Sequence, residues 1–250
     1  VLHRPKTKEG QVEGYNPFSN IMTPNQFLPS AFPDALFEVI KDRIVPKLTN
    51  PSPAMGNLLG GHNGVRYRLR ACVDYSDEFV ECLRLTGDAP PIEGRYQQEK
   101  VLFGFFVSGL AALDCFAFFL YFGAAHLRPT EFPTQTAANI KGISLKSTVK
   151  AFSKEFPSDV MSTELNALLN DPNFTEWVLC RNVLAHRAVP GRVVYASVGT
   201  RTQPPAADWQ IDPGVNLKID AALTPPRLTW LIATLAKLIV AADQFTQKYF

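Results

Sequence analysis

Val101–Leu127, V-L-F-G-F-F-V-S-G-L-A-A-L-D-C-F-A-F-F-L-Y-F-G-A-A-H-L, is the stretch that decides the fold. Its only ionisable residues are Asp114, Cys115, Tyr121 and His126, so by length alone it passes as a membrane span. Three features favour a buried helix instead. Asp114 stands at the centre, where a charge in lipid is costly. Gly104, Ser108 and Gly109 suit close contact between helices, and neither end carries a Trp or a Lys-rich flank. The element is expected to begin near Arg95, after Pro90-Pro91, and to run to about His126, buried on most sides in a bundle or a dimer interface. Asp114 then becomes a buried carboxylate in need of a partner. It serves either as a structural hydrogen-bonding group or to orient an Arg or His elsewhere.

Working outward, the N-terminal side reads as follows. Residues 1–33 carry Pro5, Pro17, Pro24, Pro29 and Pro33 among apolar Phe18, Ile21, Met22, Phe27 and Leu28. They are expected to form an extended arm on the body or a partner, or a flexible tail. From Asp34, Leu36, Val39, Ile40 and Ile44 recur at helical spacing, with Asp34 as N-cap and Pro46 ending the run. The stretch N-P-S-P-A-M-G-N-L-L-G-G-H-N-G up to Gly64 reads as a turn-rich loop. A phosphate loop is disfavoured, since no strand precedes it and no Lys-Ser/Thr follows. Residues 66–87 read as a helix opened by Arg66, Arg68 and Arg70 and stopped by Gly87.

On the C-terminal side, residues 143–156 place Leu145, Val149, Phe152 and Phe156 on one helical face and Lys146, Lys150 and Lys154 on another. A short helix follows at 160–170. Beyond Gly191, V-V-Y-A-S-V and W-Q-I are β-like, so 192–223 is expected to be a small hairpin or irregular insertion. From Pro226 a clear amphipathic helix closes the chain. The expected fold is all-α: an up-down helical bundle over residues 34–250, with a long buried central helix and a small β-like insertion before the last helix.

The composition is that of a folded protein, 46% apolar and 19% charged with a net charge of +2. Affinity for nucleic acid must therefore come from a local patch rather than a global field. Cys72, Cys82, Cys115 and Cys180 lack C-x-x-C spacing and read as reduced thiols, and the four His are too scattered to pair as zinc ligands. No cofactor or metal is expected. The opening V-L-H-R-P-K-T-K has no apolar core of a secretory leader, which with the bundle reading predicts a cytoplasmic location without membrane.

The chemistry concentrates in Phe174–Ala188, F-T-E-W-V-L-C-R-N-V-L-A-H-R-A, capped by Asp171-Pro172-Asn173 and stopped by Pro190-Gly191. Asn182 and His186 are four apart and share a helix face, with Arg181 about 100° round. A permanent cation beside an imidazole that titrates near neutrality suits acid–base work on a phosphate ester. The plain alternative is that Arg181 and His186 serve the helix end, bonding its last carbonyls.

Arg181-Asn182-x-x-Ala185-His186 resembles the motif of the HEPN superfamily, in which an Arg is followed directly by a polar residue and a few positions on by a His. The resemblance covers this motif and the surrounding run of long helices. It implies an all-α domain, commonly dimeric, and often a metal-independent endoribonuclease of toxin or antiviral-defence type. Carried onto this chain, His186 is the acid or base, Arg181 stabilises the phosphoryl oxygens, and Asn182 orients His186 or the phosphate. Arg187, Arg192 and Lys150 are candidate substrate-binding residues, with Arg201 near them in sequence. The expected partners are RNA, a second copy of the chain in a composite C2 site, and an antitoxin or defence-system protein. Some HEPN toxins carry a modified Tyr two positions after the His; here that position is Ala188, which puts that mode of neutralisation in doubt. The alternative within the same resemblance is a catalytically silent nucleotide- or RNA-binding or scaffold protein.

Overall fold

Glycine where a loop was expected is what lets the two longest helices meet. In the computed structural model, which describes residues 27–48, 53–186, 190–194, 207–212 and 215–250 (the backbone alone for His186, Asp212 and Val215), α2 spans Pro53–Thr86 and α3 spans Ile92–Leu127. The Gly-rich run, from Pro53 on, is thus the first third of α2, not a loop. A Cβ on Gly61 would stand 2.9 Å from the backbone N of Phe119, and one on Gly64 would stand 2.6 Å from Cys115 Sγ. Tight packing against α3 therefore overrides the poor helix propensity of these residues. Further along, the Cys72 thiol approaches the Phe105 carbonyl at 3.6 Å, and the Tyr75 ring lies over Gly104. The partners descend along α3 as α2 ascends, so the two helices form an antiparallel hairpin around the turn at Gly87.

The remaining helices wrap this hairpin. Helix α1, Asp34–Ile44, buries Phe37, Ile40 and Ile44. Asp34 is the first residue of that helix rather than its N-cap, and its carboxylate goes to Arg66 on α2. Pro46 falls in a 3-10 turn, Val45–Lys47. After a short α4, Ala137–Lys141, come α5, Leu145–Glu155, and α6, Val160–Leu169. The Ser144/Ser147 capping box opens α5, and Asp159 caps α6 through the Met161 N–H. Helix α7, Pro172–His186, is opened by Asp171, whose Oδ1 accepts from the Asn173 N–H at 2.7 Å. The final α8, Pro225–Tyr249, is tied to α1 by Arg43 and Asp243 at 2.9 Å and packs Phe245 on Phe152 and Phe156.

The expected insertion is a three-stranded antiparallel sheet in sequence order: β1, Gly191–Val194; β2, Ala207–Asp212; β3, Val215–Ile219. Arg192 pairs with Trp209, and Trp209 with Leu217. Trp209 is fully buried. The architecture is an all-α bundle with a long central helix and this small sheet before the last helix. Both α3 and α8 are long and apolar enough to cross a membrane by length and composition, and most of the apolar window of α3 is buried inside the fold. Of the proposed arm, residues 1–26 lie outside the described residues. The remainder folds onto the body: Phe32 is buried, and Phe27 meets Tyr67 edge-on beneath Arg70.

Candidate functional site

One side chain seats helix α7 on the central helix. Trp177 is 2% exposed, donates its indole N–H to the Phe106 carbonyl at 2.9 Å, and stacks on Phe105 at 5.0 Å. It lies over Gly109 of α3, where a Cβ would come within 2.2 Å of the ring. Trp177, Cys180 and Val183, three residues apart, make the buried face of α7. Burial pushes the Cys180 thiol up to about 12, so it is packing rather than a nucleophile. Pro190 accepts from Arg95 near the start of α3 at 3.1 Å. The four residues from His186 to Pro190 reach at most about 14 Å. The end of α7 therefore points towards the N-terminal half of α3.

On the other side of α7, Arg181 and Asn182 are half-buried and Ala185 is exposed. His186 is the last described residue of the helix, one turn beyond Asn182 on the same face. Arg181 makes no ion pair among the described residues. Arg43, Arg66, Arg70, Arg84 and Arg227 are all bound to carboxylates. The charge that Arg181 does face is Asp114. This Asp was expected to be buried, yet it stands on the outward side of α3 and is exposed. Its Oδ1 accepts from the Leu145 N–H at 3.2 Å, so it caps the start of α5 as a structural hydrogen-bonding group. The protein crowded around it pushes the carboxyl up, while the Leu145 N–H and the Arg181 guanidinium pull it back. Asp114 thus fastens the central helix to the start of α5, with the Arg181 charge near enough to act on its carboxyl.

Lys150 is exposed on α5, about 7 Å along the helix from the Asp114 contact. Neither it nor Lys146 makes an ion pair among the described residues, whereas Lys154 is held by Glu131 and Glu155. Lys146 and Lys150 therefore keep their charge open to an anion.

Arg192 has a different situation from the one expected of a phosphate contact. Its side chain is 3% exposed and its guanidinium binds Glu99 at 3.1 Å and the Gln98 side chain at 2.7 Å. Burial pushes the Glu99 carboxyl up, and Arg192 and Arg95 draw it down. The Trp209 indole N–H faces the same carboxylate without a hydrogen bond of good geometry. This cluster fastens the small sheet to the start of α3 and leaves no open face for a substrate. No local pattern signals this cluster, because Glu99 and Arg192 are 93 residues apart. Arg187 and Arg201 lie outside the described residues.

Comparison with family models, curated proteins and solved structures found no match to this chain.

Proposed function

We propose that the chain is a HEPN-like endoribonuclease that cleaves RNA without a metal, acting as a homodimer of toxin or defence type in the cytoplasm. The observation that carries the reading is that Arg181 and Asn182 stand half-open on the outer side of a helix whose inner side is pinned by Trp177, with His186 one turn on. Arg181 is the cation of this helix left without a carboxylate bond, in a protein that binds most of its other described arginines in ion pairs.

RNA supplies its own nucleophile. The 2′-oxygen attacks the adjacent phosphorus, the bond to the 5′-oxygen breaks, and the 2′-hydroxyl proton passes to a base while the leaving oxygen takes one from an acid. The products are a 2′,3′-cyclic phosphate and a 5′-hydroxyl. His186 serves one proton transfer and its counterpart in a second copy serves the other. Arg181 offers two N–H groups to the phosphoryl oxygens as charge builds in the transition state. Asn182 orients the imidazole or the phosphate, and Lys146 and Lys150 hold the flanking backbone.

The test is incubation with a structured RNA pool in excess EDTA, beside His186→Ala and Arg181→Ala variants of unchanged helicity. Cleavage with cyclic phosphate ends, falling by about a hundredfold or more in each variant, is the expected result. RNA binding without cleavage by the wild type would replace the enzyme with a silent binding or scaffold protein. Cleavage retained by His186→Ala would remove that residue from the mechanism.

A further inference from the structure

Arg66, Arg68 and Arg70 alternate along α2, and the fold treats them differently. Arg66 is bound to Asp34 and Glu38, and Arg70 to Asp74. Arg68 is exposed and makes no ion pair among the described residues. The register of the α2–α3 hairpin fixes where it emerges. Gly61 lies on Phe119, Gly64 on Cys115 and Tyr75 on Gly104. Arg68 is one turn on from Gly64 and seven residues before Tyr75, so the same antiparallel register sets it opposite Ala111. Ala111 is half-buried and leaves a low place on α3, and the exposed Asp114 follows one turn later. Burial pushes the Cys115 thiol up, and the nearby Arg68 guanidinium draws it back, which puts that charge beside the residue next to Asp114.

Round the axis of α3, the residues under α2 (Gly104, Cys115, Phe119) and those under α7 (Phe106, Gly109) fall on opposite sides of Asp114. Arg68 therefore approaches from one flank and Arg181 from the other. Lys146 comes from a third direction, since Asp114 accepts from the N–H of the residue before it. Open cations from three helices meet around one carboxylate, with Lys150 about one turn beyond Lys146. A small phosphate ligand needs donors that converge on a point. These are spread across more than one helix diameter, about 10 Å, which suits the row of charges on a polynucleotide backbone. We propose that an RNA strand crosses the open side of α3 over Asp114, with Arg68 holding the backbone on the α2 side and Lys146 and Lys150 on the α5 side of Arg181. In a protein of net charge +2 this is the local patch that affinity for nucleic acid requires. Asp114 lies beneath the strand and opposes it; the cap on Leu145 is what calls for an oxygen there.

This inference deepens the ribonuclease reading and rests on it, and binding is therefore measured apart from cleavage. The probe is a labelled 2′-O-methyl oligouridine, which lacks the attacking hydroxyl and cannot be cut by the chemistry above. Its affinity for the full chain is read across a salt series. Arg68→Gln is expected to weaken binding at least about threefold and to lower the slope of log affinity against log salt by about 0.7, the share of one phosphate contact on a single strand. Arg68→Lys keeps the charge and should keep the slope. Arg70→Gln removes a cation already bound to Asp74 and should change neither quantity. Asp114→Asn retains an oxygen for the Leu145 N–H but loses the charge, so binding should tighten by about threefold. Wild-type binding by Arg68→Gln overturns the proposal, as does an equal loss in Arg70→Gln, an Asp114→Asn variant that binds no tighter, or a wild type that does not bind the probe. Cleavage of the structured RNA pool alongside any of those results leaves the ribonuclease standing without this track. Arg68-dependent binding with no cleavage does the reverse.

Discussion

Gly109→Ala adds one methyl group at the point where the motif helix rests on the central helix. The new Cβ would lie 2.2 Å from Cζ2 and 2.8 Å from Cε2 of Trp177. The indole cannot turn away freely, because its N–H is held by the Phe106 carbonyl and its ring by Phe105 and Trp230. Overpacking of this kind costs about 1–3 kcal/mol, and with the close approach to a held ring the upper half of that range applies. Against it, alanine is better than glycine in a helix by about 1 kcal/mol. The net expectation is a loss of about 1–2 kcal/mol. Gly60→Ala in α2 is the matched control: nothing described lies within 4 Å of its Cβ, so only the helix term operates, with a gain of up to about 1 kcal/mol. The same chemical change should move the urea midpoint in opposite directions, separating the two variants by about 1 M at a slope of about 2–3 kcal/mol per M. A Gly109→Ala midpoint at or above wild type would refute the seating of Trp177, and with it the placement of Arg181 and Asn182 on the surface.

Two further predictions concern buried charge. Arg192→Met leaves the Glu99 carboxylate with Arg95, 3.8 Å away, as its remaining ion-pair partner among the described residues and should cost up to about 3–5 kcal/mol. The loss should be smaller at pH 5 than at pH 8, because burial already pushes the Glu99 carboxyl up and a proton relieves it; an equal loss at both pH values in urea unfolding would count against the pair. His62, buried on α2, stacks on Phe37 at 4.3 Å and has Glu38 3.8 Å away. Burial holds its imidazole below the ordinary value despite that carboxylate. The unfolded chain therefore takes the proton first. The His62 contribution is complete above the ordinary imidazole range, falls as pH drops through it, and levels off below the folded value. His62→Phe should show a flatter decline in melting temperature between pH 8 and 5, and parallel curves would sink the assignment.

The periodicity of α1, α5 and α8 is readable directly, since each has apolar residues at helical spacing that any core would bury, whereas α3 is legible from the length of its apolar run. So is the motif helix, with its Asp171 cap and its Pro190-Gly191 stop. What misled was the Gly-rich start of α2: local propensity called for a loop, and only the backbone-close approach of α3 at Gly61 and Gly64 explains a helix there. Asp114 misled for a related reason. In a run so apolar a carboxylate is expected to be buried, yet it stands on the outward side of α3 and caps α5. Arg192 looked like a neighbour of His186 in sequence and proved to be the anchor of the small sheet.

The sequence by itself determined the helical class, the order of elements and the one helix that holds Arg181, Asn182 and His186, because helix periodicity and caps are local. Which charges remain open for chemistry was decided by the tertiary structure alone. A guanidinium is spent or free according to the carboxylates that distant segments bring to it, and packing brought Glu99 to Arg192, Asp34 to Arg66 and Asp243 to Arg43 while giving Arg181 no bonded partner among the described residues.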